Sequence, residues 1–356
     1  MEFGISVATS ADSWKVVERA EALGMNHAWF YDTQMLCADC FVAMGAAAVK
    51  TSRIRLGTGV LIPTNRLAPV TANAFATLNK LAPGRIDFGV GTGFTGRRAM
   101  GQDAMKLADM EEYIRVVYGL IAGDIVETEL EGKNHKIQFL NPELGLFNCD
   151  DPIDLHVSAY GPRSRKLVAK LGAGWLTFIS ATAGAISWLE DMQGAWVDAG
   201  RDTAELTADA FVLGCVLADG EPYDSPRAIA QAAPRACVIL HRAADEARAG
   251  LPAFSPVPDH AEEAVAGYVK LASSFEPADA QYLNNHRGHL MTIKPEEREF
   301  VTPELIRDIT FTAMEGELKK RIGDLRDAGY TRFSVQITPG QEDSIEDWGR
   351  LFAAFK

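Results

Sequence analysis

The sequence predicts a (β/α)8 barrel with a long, largely helical insertion before its last strand. Short runs of β-branched and aromatic residues alternate with amphipathic stretches of helical length, which is typical of βα units around a parallel sheet. Eight such strands can be counted along the 356 residues, and the length exceeds that of a typical barrel of this kind by about 100 residues. A doubly wound open sheet is the alternative, but eight strands that end in a βα unit favour closure.

Four βα units account for about the first 120 residues. The expected strands are 3–7, 28–31, 54–60 and 86–90, and the expected helices are 10–23, 39–50, 69–81 and 105–122. Gly24 follows the end of the first helix and Pro69 opens the third, which are the positions that these residue types prefer.

The second half interrupts the alternation twice within a single domain that spans residues 1–356. A β-hairpin around Gly132 is expected in an insertion at 124–151, and a helical insertion at 217–330 has no linker that separates it from the barrel. The remaining expected strands are 155–159, 174–178, 210–216 and 333–337, with helices at 164–171, 185–199 and 344–355 between or after them. Inside the helical insertion, helices are expected at 227–242, 261–274, 303–315 and 317–327.

The amino-acid composition makes some classes of binding partner unexpected. The chain has 35 Lys plus Arg against 48 Asp plus Glu, a formal charge of −13, and such a surface repels phosphate backbones and anionic lipid. Nucleic acid and membranes are therefore not expected as partners. The first residues lack the pattern of a signal peptide, and no apolar run approaches the roughly 20 residues of a bilayer span, so we expect a cytoplasmic protein.

Two residue pairs invite a metal or redox interpretation. Cys37 and Cys40 have C-x-x-C spacing, but the five cysteines include no second such pair. His286 and His289 lie three residues apart, but Gly288 between them and the lack of a nearby acidic partner weaken a metal site. We expect reduced thiols and no bound metal.

The active site of a (β/α)8 barrel is built from the loops at the carboxyl ends of its strands. After the fourth strand, Gly91, Thr92 and Gly93 are followed by Arg97 and Arg98. Glycines let backbone approach a ligand, and the hydroxyl and guanidinium groups are donors suited to a phosphate. The G-x-G-x-x-G match at 91–96 is not a dinucleotide fingerprint, because it follows the fourth strand and not the first.

A second loop, residues 158–164, runs directly into a helix whose free N–H groups favour an anion. It contains Ser158, Gly161 and Ser164, and Ser164 is also suited to a plain N-cap.

Four segments together resemble a known family. They are AWFYDTQM at 28–35, TSRIRLGTGV at 51–60, LAPGRIDFGVG at 81–91 and AYGPR at 159–163, and FSVQ at 333–336 resembles the closing strand. Their order resembles that of the bacterial luciferase-like flavin monooxygenases and their relatives that use the 8-hydroxy-5-deazaflavin coenzyme F420. The resemblance implies a TIM barrel of the luciferase-like type that holds a flavin or deazaflavin at the carboxyl ends of its strands.

The resemblance also assigns residues to the cofactor. A non-proline cis peptide that supports the ring maps to Gly59-Val60, and phosphate contacts map to the loops after the fourth and fifth strands. The cofactor-binding residues so expected are Thr58, Gly59, Val60, Gly91, Thr92, Gly93, Phe94, Ser158, Ala159, Tyr160, Gly161 and Arg163.

Asp32, Arg97 and Arg98 are the candidate catalytic residues. Asp32 lies where many relatives carry an acidic residue followed by histidine, but Thr33 follows here, which puts histidine-dependent chemistry in doubt. Asp32 could orient the ring or move a proton, and capping of the next helix is the alternative.

The leading hypothesis is a monooxygenase that uses reduced FMN, supplied by a separate flavin reductase, and O2 on a small organic substrate. One alternative is an F420-dependent oxidoreductase that transfers hydride without oxygen. A second is a flavin-binding protein with no catalysis. The resemblance also implies a homodimer or homotetramer.

Overall fold

The computed structural model describes residues 1–253 and 257–355. Its strands, in chain order, are β1 (Glu2–Val7), β2 (His27–Phe30), β3 (Arg55–Thr58), β4 (Ile86–Val90), β5 (Val126–Leu130), β6 (Lys133–Ile137), β7 (Asp154–Ser158), β8 (Gly174–Phe178), β9 (Ala208–Val212), β10 (Val216–Leu217), β11 (Ala313–Met314) and β12 (Arg332–Ile337). Eight of them form a closed barrel in the order β1-β12-β9-β8-β7-β4-β3-β2, and every neighbouring pair is parallel. The predicted (β/α)8 barrel is confirmed, and the open-sheet alternative is wrong.

Helices pack around this barrel and within the insertion. In chain order they are α1 (Ser13–Ala22), α2 (Cys40–Lys50), α3 (Ala68–Leu81), α4 (Phe94–Arg98), α5 (Leu107–Ile121), α6 (Pro162–Leu171), α7 (Thr182–Asp198), α8 (Pro226–Ala249), α9 (Glu262–Ala272), α10 (Tyr282–Asn285), α11 (Pro303–Ile309), α12 (Glu315–Ala328) and α13 (Ser344–Ala353). The hairpin predicted around Gly132 is the antiparallel pair β5-β6.

Two predicted elements of the second half differ from the structure. The strand predicted at 210–216 is divided, since β9 ends at Val212 and β10 pairs with β11 outside the barrel. The helix predicted at 303–315 ends at Ile309, because the chain turns extended at Thr310 to reach that pairing. Such a pairing joins residues about a hundred positions apart, so local periodicity does not reveal it.

Glycines on the inner face of the barrel make room for large side chains from neighbouring strands. A Cβ on Gly4 would lie 2.2 Å from the ring of His27, and one on Gly57 would lie 2.4 Å from Trp29. Gly174 stands in the same relation to His156, at 2.2 Å. The interior is therefore a packed layer of alternating large and small residues and not a channel.

The helical insertion has a hydrophobic cluster of its own, formed mainly by α8, α9 and α11. It reaches the carboxyl ends of the barrel strands, where the side chain of Gln336 donates a hydrogen bond to the carbonyl of Leu290. The insertion thus covers one side of the barrel mouth, which we define as the space at the carboxyl ends of the eight barrel strands.

All five cysteines are free thiols, as expected from the sequence. Cys37 and Cys40 flank the start of α2 without a bond between them. Among the residues that the structure describes, no helix combines the length and apolar character of a bilayer span.

Candidate functional site

The glycine-rich loop after β4 lies at the barrel mouth beside the loop after β3. Gly93 has a φ of +78° and precedes the one-turn helix α4. A Cβ on Gly91 would lie 2.8 Å from Cγ2 of Val60, so glycine at this position lets the β4 loop pack directly against the side chain of Val60. The Gly59-Val60 peptide bond is cis, which confirms the expectation drawn from the family resemblance.

The residues of these two loops that were predicted to bind the cofactor differ in whether their side chains can contact a ligand. The hydroxyl of Thr58 is buried and donates to the carbonyl of Gly89 at 2.7 Å, so it couples β3 to β4. Thr92 is partly buried, and the ring of Phe94 is 43% exposed at the start of α4.

The loop after β7 supplies a second group of predicted residues at the same end of the barrel. Ser158 ends β7, and Ala159 is buried with its carbonyl accepting a hydrogen bond from Trp175 Nε1 at 2.7 Å. The hydroxyl of Tyr160 accepts from the backbone N–H of Phe178 at 3.1 Å, and burial of that hydroxyl raises the pKa of Tyr160. The Tyr160 side chain is therefore held toward β8.

Gly161 and Arg163 are the residues of that loop that are accessible to a ligand. Gly161 is the N-cap of the ten-residue helix α6, so Ser164 is not the cap and its hydroxyl donates back to the Gly161 carbonyl. An added Cβ on Gly161 would touch nothing within 4 Å. Arg163 is exposed and makes no hydrogen bond or ion pair with any described residue. This guanidinium is available to an anion.

Asp32 is buried at the end of β2 and is fully engaged by the loop after β3. Arg66 donates to both carboxylate oxygens at 2.8 and 2.9 Å, and Asn65 and the backbone of Ile62 each donate at 3.1 Å. The capping alternative for Asp32 is wrong, because Asp39 is the residue that caps α2. The observed role of Asp32 is to order the loop that carries Val60.

Arg97 and Arg98 hold the α4 turn in place. Arg97 donates to the hydroxyl of Thr64 at 2.8 Å and to a backbone carbonyl. Arg98 stacks on the ring of Phe94 at 3.7 Å and lies 3.4 Å from Asp245 of α8. These contacts connect the glycine-rich loop to the β3 loop on one side and to the insertion on the other.

Sequence reasoning missed a further arginine at the barrel mouth that, like Arg163, has no carboxylate partner in the described part of the chain. Arg235 of α8 lies over the ring of Phe178 at 4.5 Å and donates to the hydroxyl of Ser180 at 2.9 Å. No carboxylate of the described residues pairs with it, its Nε has no partner, and burial lowers its pKa to about 10. A guanidinium without a counter-ion favours an anionic group nearby.

The insertion also brings a buried chain of polar side chains to the same place. Glu297 contacts His241 at 2.5 Å, His241 contacts His289 at 2.7 Å, and His289 contacts the hydroxyl of Thr95 at 3.4 Å. Only His289 carried a sequence signal, through its spacing from His286. His241 is 48 positions from His289 and 56 from Glu297, and Thr95 is 194 positions from His289, so these side chains meet only through the fold.

A further polar cluster lies lower in the barrel, away from the mouth. Asp209 accepts from Trp29 Nε1 at 2.9 Å and from Ser334 at 2.8 Å. Burial raises the pKa of Asp209 to about 6, although Arg332 and Ser334 oppose the shift. Across the described residues, no group of three His, Cys, Asp or Glu side chains is arranged to hold a metal ion.

The closed barrel with its active-site loops at the carboxyl ends of the strands is the architecture of the luciferase-like oxidoreductases. The family model for the luciferase-like monooxygenases matches residues 6–332, and the chain belongs to this family.

Two curated proteins are similar to parts of this chain. The chain is 36% identical over 140 residues to an F420-dependent glucose-6-phosphate dehydrogenase of Beutenbergia cavernae, which covers 37% of this chain and 40% of that enzyme. It is 28% identical over 216 residues to the 5,10-methylenetetrahydromethanopterin reductase of Methanolobus tindarius, which covers 59% of this chain and 64% of that enzyme. The chain therefore spans about 40% of the length of the first relative.

Solved structures show the same fold over the whole chain. The coenzyme F420-dependent tetrahydromethanopterin reductase of Methanopyrus kandleri superposes with a TM-score of 0.70 at 21% identity and covers 100% of this chain and 99% of its own. The oxygenating constituent of 3,6-diketocamphane monooxygenase from Pseudomonas putida, in complex with FMN, gives 0.64 at 15% identity and covers 98% of this chain and 95% of its own. The fold thus accommodates both cofactor types.

The residues present at the barrel mouth fit a phosphate-bearing flavin or deazaflavin. Gly161 leaves open space that a Cβ would enter, and the α6 N-terminus carries no side-chain cap. Arg163 adds an unpaired positive charge beside that N-terminus.

Proposed function

We propose that this protein is an oxidoreductase that transfers hydride with the deazaflavin coenzyme F420. The observation that carries the proposal is the match to F420-dependent glucose-6-phosphate dehydrogenases, together with the open space at Gly161 and the unpaired Arg163 in this chain. This support favours the deazaflavin alternative over the reduced-FMN monooxygenase, which was the leading hypothesis from the sequence. The sequence relatives reported above do not support the monooxygenase equally well.

Each part of the site has a task that follows from its chemistry. When bound, the deazaflavin would supply the hydride chemistry. Arg163 and the free N–H groups at the start of α6 would bind its phosphate, and Gly91 would let the backbone approach it. Asp32 and Arg66 keep the β3 loop rigid, so that the Gly59-Val60 unit presents a constant surface to the ring.

An anaerobic calorimetric titration with F420, and separately with reduced FMN, tests the proposal. We expect tight binding of F420. Arg163→Ala should weaken binding by about 1.5–3 kcal/mol, the contribution of a charged hydrogen bond, which is roughly 10- to 150-fold. Lys166→Ala is the matched control, because Lys166 is an exposed cation on the same helix one turn later.

The outcomes separate the three hypotheses. Clear preference for reduced FMN, with oxygen uptake in the presence of a flavin reductase, would establish the monooxygenase instead. Binding of either cofactor without turnover of any substrate would favour a flavin-binding protein. Binding of neither would contradict all three.

The names of the relatives supply substrates for a first turnover screen. Glucose 6-phosphate is offered with F420, and 5,10-methylenetetrahydromethanopterin with reduced F420. Because Arg235 leaves an unpaired positive charge at the mouth, we expect anionic substrates to be favoured over neutral ones.

A further inference from the structure

A continuous chain of hydrogen-bonding groups runs from the interior of the insertion to the barrel mouth. It begins at Glu297, which is completely buried, passes through His241 and His289, and ends at Thr95 in the α4 turn. Three separate elements contribute to it: the α8 helix, the 286–297 segment and α4.

The direction of the hydrogen bonds follows from the charge of Glu297. Burial by itself would raise the pKa of Glu297, but the hydrogen bonds from His241 and Lys294 lower it to about 2. Lys294 contributes its ammonium at 2.9 Å and its backbone N–H at 2.8 Å. The carboxylate is therefore ionised and can only accept, so Nε2 of His241 carries a proton.

That assignment determines the state of the next imidazole. Burial lowers the pKa of both His241 and His289, so both rings are neutral near pH 7. A neutral His241 with its proton on Nε2 has a lone pair on Nδ1, and Nδ1 of His289 must then donate to it. Nε2 of His289 is left without a proton and faces the hydroxyl of Thr95 at 3.4 Å.

The groups that face His289 explain why such a chain is needed. Arg235 and Lys294 are cationic and oppose a positive charge on the ring, as do the neighbouring imidazoles of His241 and His286. His286 is itself paired with Asp245 at 2.9 Å. Through His241, a proton that arrives at His289 can be balanced by the negative charge of Glu297.

We propose that His289 is the proton acceptor of the site, oriented by His241 and Glu297, and that the substrate is accordingly an alcohol in its reduced form and a carbonyl in its oxidised form. In the oxidative direction the substrate O–H bond breaks and its proton bonds to Nε2 of His289. The carbinol C–H bond would break at the same time, and its hydrogen would leave with both electrons to a deazaflavin held by Arg163 and the start of α6, while the C=O bond forms. The proton on Nδ1 of His289 shifts to Nδ1 of His241, and the resulting imidazolium keeps its Nε2 proton in the hydrogen bond to the ionised Glu297.

This inference rests on the proposed function for the hydride acceptor, but its central claim can be measured without any cofactor. The chain has seven histidines, so the full-length protein labelled with ¹⁵N-histidine gives seven imidazole signal sets in long-range ¹H–¹⁵N spectra. Single His→Gln variants assign them. At pH 7 we expect His289 to be neutral with its proton on Nδ1 and none on Nε2.

Two variants separate the hydrogen-bond chain from general packing. His241→Phe keeps a ring in place but removes the acceptor, so His289 should gain a population protonated on Nε2. Glu297→Gln retains an acceptor for His241 and should leave the His289 tautomer unchanged, while it removes the negative charge that balances the transferred proton. A His289 ring that is protonated on Nε2 in the unaltered protein, or one that ignores His241→Phe, overturns the proposal.

Turnover completes the test. With F420 bound, His289→Gln should lower kcat by roughly 10²- to 10⁴-fold, with F420 affinity changed less than tenfold. His135→Gln, on the exposed β5-β6 hairpin, is the control and should be unaffected. If kcat is unaltered in His289→Gln, only the claim that His289 accepts the proton is contradicted. If the protein does not bind F420, the proposed function is contradicted, but the result on the His289 tautomer still holds.

Discussion

Asp87 at the amino-terminal end of the barrel provides a sharp test of how the fold is stabilised. Its side chain is 1% exposed and accepts from Arg55 Nε at 3.1 Å and from Arg332 at 3.3 Å. Removal of one partner of a buried ion pair leaves the other charge without compensation, which typically costs about 3–5 kcal/mol. We expect Asp87→Asn to lower the free energy of unfolding by that amount.

Asp154→Asn is the matched control for this substitution. Asp154 accepts from the same Arg55 at 2.8 Å, but its side chain is 54% exposed, so water replaces the lost contact and the effect should stay below about 1 kcal/mol. Urea denaturation at pH 7 measures both changes as shifts of the midpoint at a constant m-value. Equal shifts for the two variants would refute the argument from burial.

The difference between the unaltered protein and Asp87→Asn should depend on pH. Burial would raise the pKa of Asp87, but His156, Arg55 and Arg332 hold it well below its usual range. A depressed pKa contributes stability above the unfolded value of about 3.9 and loses it as pH falls. The gap between the two proteins should therefore narrow below about pH 4.

Three further outcomes follow from the structure. The raised pKa of Asp209, about 6, means that stability falls as pH rises from about 4 to 6, and Asp209→Asn should abolish that slope in urea melts compared at several pH values. Gly4→Ala should lower the free energy of unfolding by at least about 1–3 kcal/mol, because its Cβ would lie 2.3 Å from the carbonyl oxygen of His27. Gly161→Ala, whose Cβ would contact nothing within 4 Å among the described residues, should change the free energy of unfolding by less than about 0.5 kcal/mol. Arg235→Met should raise the melting temperature measured by calorimetry, because it removes an unpaired buried charge. The same substitution should weaken the binding of anionic substrates. A lower melting temperature would contradict the first of these expectations.

The location of the loops at the barrel mouth could be predicted from the sequence. The loops that contain Gly91 and Arg163 were found because parallel strands bring their carboxyl ends to one side, so position in the βα alternation predicts location. The roles of Asp32 and Arg98 were not found in the same way. Their partners, Arg66 and Asp245, come from other loops, and no local pattern pairs them.

The sequence by itself determined the number and order of the barrel elements, the acidic surface and the resemblance that placed a cofactor at the mouth. These properties depend on short-range periodicity and on residue types at fixed spacing. The tertiary structure alone decided that the backbone of Gly214 passes close to that of Phe311, that β10 pairs with β11 outside the barrel, and that Glu297, His241 and His289 form one chain. Those contacts join residues far apart in sequence, and only the closure of the barrel and the packing of the insertion against it bring them within hydrogen-bond distance.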